Sequence, residues 1–162
     1  MFRKILVAVD RSEINEQVLT EAIDLAKTND GNLMLLHVLS LDDDVMLAEH
    51  PSLSFTPDAL APVMESFQER WKTREEIGLT LLRSLAETAK EAGLEAEFSQ
   101  NPGSPGATIC ALARTWEADL IVMGRRGLSG FSEFLMGSVS NYVLHHAPCS
   151  VLTVQHGTGK GT

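Results

Sequence analysis

Gly124, Gly127, Gly137 and Ser138 follow one another in the order Gly-x2-Gly-x9-Gly-Ser, directly after the apolar run Leu120-Ile121-Val122-Met123 and directly before a short helical segment. Residues of these types at this spacing can cradle a phosphate. Glycine carries no Cβ, so its backbone can take positive φ and lets an anion approach the main-chain amides. The free N–H groups and dipole at the start of the following helix attract negative charge, and Ser138 adds a hydroxyl donor. Between the glycines, Arg125 and Arg126 offer guanidinium forks that bind oxyanions bidentately. Such local positive charge stands out in a chain whose formal net charge is -9. Each residue also has a purely structural reading. Gly124 would serve as a strand exit, Gly127 as a turn residue, Gly137 as a packing glycine and the arginine pair as a solvated turn.

Other candidate chemistry is thinner. The chain holds no Gly-x4-Gly-Lys-Ser/Thr, and the turn after its first apolar run is Asp10-Arg11-Ser12 rather than glycine-rich, which speaks against Walker ATPases, Rossmann dehydrogenases and adenylating pyrophosphatases. Asp42-Asp43-Asp44 has the oxygen ligands that hard cations choose, but adjacent loop carboxylates read better as solvated, so no protein metal site is expected. His37 reads as a hydrogen-bonded interior or sheet-end residue, and His145 and His146 as a helix C-terminus, where the dipole favours positive charge. No catalytic residue is identified. Cys110 and Cys149 lack Cys-x-x-Cys spacing and read as buried free thiols. A redox role for Cys149 would need a base or positive neighbour, and only His145 and His146 stand near it in sequence.

The elements that must position these residues are legible in outline. At 162 residues, 44% hydrophobic and 22% charged, the chain is expected to form one domain over residues 1–155 with a flexible tail over 156–162. Its acidity disfavours nucleic acid and anionic membrane as partners. No basic start followed by a long apolar stretch marks a signal peptide, and no apolar run reaches about 18 residues, so a cytoplasmic address is expected. Ile5 to Val9 is predicted to be a strand buried on both faces, followed by a helix to about Asn29 capped by Asp10 or Ser12. Further strands are predicted over 33–39, 95–100, 120–123 and 150–154. Helices are predicted over 63–92, with Gly78 a point of weakness, then over 105–116 with Ser104 as cap, and over 138–145. The polar stretch Lys72 to Glu76 is expected to project away from the core. Strands alternating with helices imply an α/β fold with a parallel, doubly wound sheet, its ligand at the carboxyl ends where strand order reverses. Asp10 and Gly124 would then share that edge.

The sequence resembles the universal stress protein family, in particular its ATP-binding branch. The resemblance runs through Ile5-Leu6-Val7-Ala8-Val9-Asp10 with Ser12 and Glu13, His37-Val38, Met123-Gly124-Arg125-Arg126-Gly127, Gly137-Ser138-Val139-Ser140 and Ala147-Pro148-Cys149-Ser150-Val151-Leu152. It implies a five-stranded parallel sheet in order 3-2-1-4-5, an ATP site at the reversal and a homodimer paired through the last strand. It also implies that Asp10 lies near the ribose or adenine, Val38 beside the base, and Gly124, Gly127, Gly137, Ser138, Val139 and Ser140 around the ribose and phosphates. Ala8 and Met123, at the ends of their strands, join the implied site. Residues 41–74 match the family least, and no function is carried across them.

The leading expectation is a cytoplasmic stress-response dimer whose occupancy by ATP, ADP or AMP, with magnesium carried on the phosphates, informs a signalling partner. Two alternatives stay open at this level: a slow ATPase using Asp10 or Glu133 with a metal, and a nucleotide-independent dimeric scaffold.

Overall fold

A computed structural model describes residues 1–40, 57–125 and 137–155. In chain order the elements are β1 (Lys4–Val9), α1 (Asn15–Asn29), β2 (Asn32–Leu39), α2 (Pro57–Glu91), β3 (Ala96–Pro102), α3 (Pro105–Thr115), β4 (Leu120–Gly124), α4 (Ser138–His146) and β5 (Ser150–Val154). The five strands form one parallel sheet in the order β3-β2-β1-β4-β5, the expected doubly wound α/β architecture.

Burial on both faces explains why β1 is apolar without alternation. Ile5, Val7 and Val9 pack with α1 and α2, against Val18, Leu82 and Leu85. Leu6 points the other way, into a second cluster with Ile109 and Ala113 of α3 and Val143 of α4. The chain leaves β1 towards β2 and β3, then crosses back to β4. Ala8 thus stands in register with Leu36 on one side and Met123 on the other. At this reversal the following loops diverge to either side and leave a crevice at the carboxyl edge.

Several local expectations are corrected. No side chain of Asp10 or Ser12 caps α1; Ile14 occupies the cap position without a side-chain bond. The carboxylate of Asp10 instead accepts the Ser12 N–H at 2.8 Å and the Ser12 hydroxyl, closing a tight turn of its own. At the other end of α1 the left-handed residue is Asp30, with φ 52°. Helix α2 starts six residues earlier than its apolar pattern suggests and runs through Pro62, which gives up the bond that residue 62 would donate to the carbonyl of residue 58 and sets its ring against that carbonyl. Strand β3 continues through Asn101 and Pro102, where a turn was expected. Pro102 pairs with Leu39 on a strand flanked on one side only, where a missing N–H is tolerated. The turn falls to Gly103, at φ 143°, whose N–H donates to the Leu39 carbonyl at 3.1 Å. Ser104 occupies the α3 cap position with Pro105 behind it, but its side chain makes no capping bond.

Gly78 is a contact residue rather than a weak point. A Cβ there would run into Gln100 Oε1 and stand 2.6 Å from His37 Nδ1. The missing side chain lets α2 close over the bond between His37 Nδ1 and Gln100 Oε1, 3.0 Å long, while Gln100 Nε2 donates to the Glu75 carbonyl at 3.1 Å. In an open helix Gly→Ala stabilises by roughly 1 kcal/mol. Here crowding of about 1–3 kcal/mol opposes that gain, because the buried His37 ring, 6% exposed, has little room to retreat. Urea unfolding of Gly78→Ala is therefore expected to show a net loss of about 1 kcal/mol; a gain would contradict the packing argument.

Candidate functional site

A cavity of about 860 Å³ opens at the carboxyl edge of the sheet. The ends of β1 and β2 contribute Ala8, Asp10 and Val38, and β4 contributes Met123 and Gly124. The first turn of α4 adds Gly137, Ser138, Val139 and Ser140. Residues from both ends of the sequence thus meet in one wall, as the topology requires. Arg125 is described but stands outside this wall; its backbone N–H extends the β4–β5 pairing by donating to the Val154 carbonyl at 2.8 Å. Arg126, Gly127, Glu133, the three aspartates at 42–44 and residues 156–162 lie outside the described residues.

The two described motif glycines do different work, and neither relies on positive φ. A Cβ on Gly124 would stand 2.6 Å from Ile14 Cγ2, so this glycine lets the start of α1 pack onto the end of β4. Gly137 has φ -57° and ψ 152°, open to any residue, and a Cβ there would meet no atom within 4 Å among the described residues beyond its chain neighbours. Neither its backbone nor its packing demands a glycine. What a side chain at 137 would occupy is space beside the cavity, at the helix end where the first N–H groups of α4 have no intrahelical acceptors. No side chain caps this end. Ser140 is 4% exposed and lines the cavity.

Asp10 is held in place from two sides. Besides the Ser12 contacts, its backbone N–H donates to Asn15 Oδ1 at 3.2 Å and its carbonyl accepts from Asn15 Nδ2. Asn15 is itself buried, so the turn between β1 and α1 is a locked unit.

Sequence reasoning missed several wall residues. Among the described residues, Arg11 and Arg74 are the arginines that line the cavity. Arg74 belongs to the stretch expected to project outward, yet Phe67, Trp71, Arg74, Gly78, Leu82, Leu85 and Ala89 form one stripe at spacings of three and four, and helical periodicity places Arg74 on the sheet side. Its Nη2 donates to the Ser40 carbonyl at 2.5 Å. The start of α3 also enters the wall through Ser104, Pro105 and Gly106. That position was legible, since each helix in such a fold starts from the carboxyl edge. Tyr142 of α4 lies against Gly106, where a Cβ would approach Tyr142 Cδ1 to 2.7 Å, and its ring stacks on His146 with centroids 4.1 Å apart.

The thiols lie away from this wall. Cys110 is buried and Cys149 half-buried, a correction for the latter. Burial pushes both thiols up from their ordinary value; for Cys149 the Asp119 carboxylate adds to the effect, and for Cys110 Arg114 opposes it. Neither environment favours a reactive thiolate. Among the described residues no three His, Cys, Asp or Glu side chains gather at one point, and no helix is long and apolar enough to cross a membrane.

Residues 1–155 match the Universal stress protein family. Universal stress protein Sll1388 of Synechocystis sp. is 39% identical over 155 residues, covering 96% of this chain and 99% of that protein. Among solved structures, the universal stress protein UspA from Lactobacillus plantarum has a TM-score of 0.69 at 28% identity, covering 94% of this chain and 97% of that one. A universal stress protein family protein from Arabidopsis thaliana, with AMP bound, has a TM-score of 0.67 at 24% identity, covering 96% of this chain and 93% of that one.

Proposed function

Because the chain belongs to the universal stress protein family, we propose that its carboxyl-edge cavity binds an adenine nucleotide and that occupancy of this site is what the protein signals with. The observation that carries the reading is Gly137: an uncapped helix start, with open space where a side chain would stand, on the wall of a cavity of about 860 Å³. The phosphates lie against the N–H groups of Ser138, Val139 and Ser140, where partial positive charge meets negative charge. The base lies towards Val38 and the ribose beside Asp10. AMP in the Arabidopsis relative supports the choice of ligand class. Among the described residues the cavity wall has one carboxylate, Asp10, already engaged by Ser12, so a magnesium ion would be carried by the nucleotide's phosphate oxygens rather than by a protein cage.

A homodimer paired through β5 belongs to the same proposal. Strand β5 pairs with β4 on one side, and its residues Val151 to Val154 are all half-buried. Hydrolysis is not part of this proposal: among the described wall residues the carboxylate, Asp10, is already engaged by Ser12. Calorimetric titration of the full chain with AMP, ADP and ATP is expected to give saturable binding at one site per chain. Absence of heat and of displacement with all three would overturn the reading.

A further inference from the structure

Arg74 is the feature of the cavity that the motif residues do not account for. An arginine on the sheet-facing stripe of a helix pays for its desolvation unless it is used, and this one is half-buried with its Nη2 on the Ser40 carbonyl just beyond β2. It takes part in more than that one contact. Val38, Ser40 and Arg74 all line the cavity, so the guanidinium ties the exit of β2 to α2 at the place where β2 forms the wall.

The start of α4 lies elsewhere. Helix α2 packs on the face of the sheet that holds Ile5, Val7 and Val9, whereas α4 packs on the face that holds Leu6. Strands β2 and β4 flank β1 on opposite sides, about 10 Å apart at the usual strand spacing. Arg74 and the first turn of α4 line one cavity, the one beside the β2 exit and the other on the β4 side of β1. A ligand whose phosphate rests on α4 presents its other end to the β2 exit.

Resting on the nucleotide reading above, we propose that Arg74 is the positioning residue of the nucleobase end: it fixes the β2 exit beside Val38 and presents a planar cation to the base. Guanidinium groups suit this task, because they hold a carbonyl with one N–H while keeping a flat cationic face for a ring. The phosphate end is independent of it.

The test compares AMP, adenosine and ribose 5-phosphate on the full chain, for the wild type, Arg74→Met and Arg74→Lys, with thermal unfolding measured alongside. Arg74→Met is expected to weaken AMP and adenosine each by tenfold or more and to leave ribose 5-phosphate within twofold. Arg74→Lys keeps the charge but not the plane, and is expected to recover less than half of the loss on a logarithmic scale. If Arg74→Met does not fold, the same adenosine-selective loss is required of Arg74→Lys. Equal weakening of adenosine and ribose 5-phosphate, selective weakening of ribose 5-phosphate, or no change in any ligand overturns the assignment. A wild type that binds none of the three overturns the nucleotide reading itself, and is thereby told apart from failure of the role given to Arg74.

Discussion

Gly137→Val is expected to lower affinity for adenine nucleotide by about 100-fold or more while leaving the unfolding temperature within about 2 °C of the wild type. The stability half follows from geometry. With φ -57° and ψ 152° the backbone suits valine, and among the described residues no atom beyond the chain neighbours lies within 4 Å of the new Cβ. The binding half follows from where that space lies, beside the amides at the start of α4. Charge-assisted hydrogen bonds contribute about 1.5–3 kcal/mol each, so displacing the phosphate from one or two of them accounts for a 100-fold loss, which corresponds to about 2.7 kcal/mol. Calorimetric titration and a thermal melt on the same sample check both halves. Unchanged affinity would remove Gly137 from the site, and a large drop in melting temperature would show a structural task instead.

Gly124→Val is expected to behave in the opposite way, although both glycines belong to one spacing pattern. The added Cβ would stand 2.6 Å from Ile14 Cγ2 and 3.5 Å from Val18 Cγ2. Ile14 is 4% exposed and Val18 fully buried, so neither can swing into solvent. Overpacking of this kind destabilises by about 1–3 kcal/mol, and at the upper end, in a chain of this size, that lowers the melting temperature by roughly 6–12 °C. Ile14 is also the cap residue of α1, next to the Asn15 that braces Asp10. Affinity is expected to fall only secondarily, as that turn shifts. A fully stable Gly124→Val would contradict the packing role.

These contrasts show what the sequence makes legible and what it hides. The strand runs were visible because burial on both faces leaves continuous apolar stretches such as Ile5 to Val9, and the alternation of strands and helices then dictates strand order and the edge that carries the site. Gly137 was legible as a candidate through its place before a helix, but its backbone is not left-handed. The start of α2 was hidden because Pro62 reads as a stop, although a helix can pass a proline at the loss of one bond and the crowding of its ring against a carbonyl. The Asp10 turn was hidden because a capping box and an Asp-Ser turn share the same residues. Arg11 and Arg74 were passed over for Arg125 and Arg126, which sit within the glycine segment in sequence, whereas the cavity wall is assembled across elements. Spacing along α2 carries that information: Arg74 stands four residues before Gly78 and eight before Leu82, on the buried stripe.

The most direct test of the central claim is a crystal structure of the full chain with AMP. Phosphate oxygens are expected within about 3.2 Å of the backbone nitrogens of Ser138, Val139 or Ser140, with the base beside Val38. AMP bound with its phosphate away from the start of α4, or a cavity that stays closed by the protein's own atoms at saturating AMP, would contradict it.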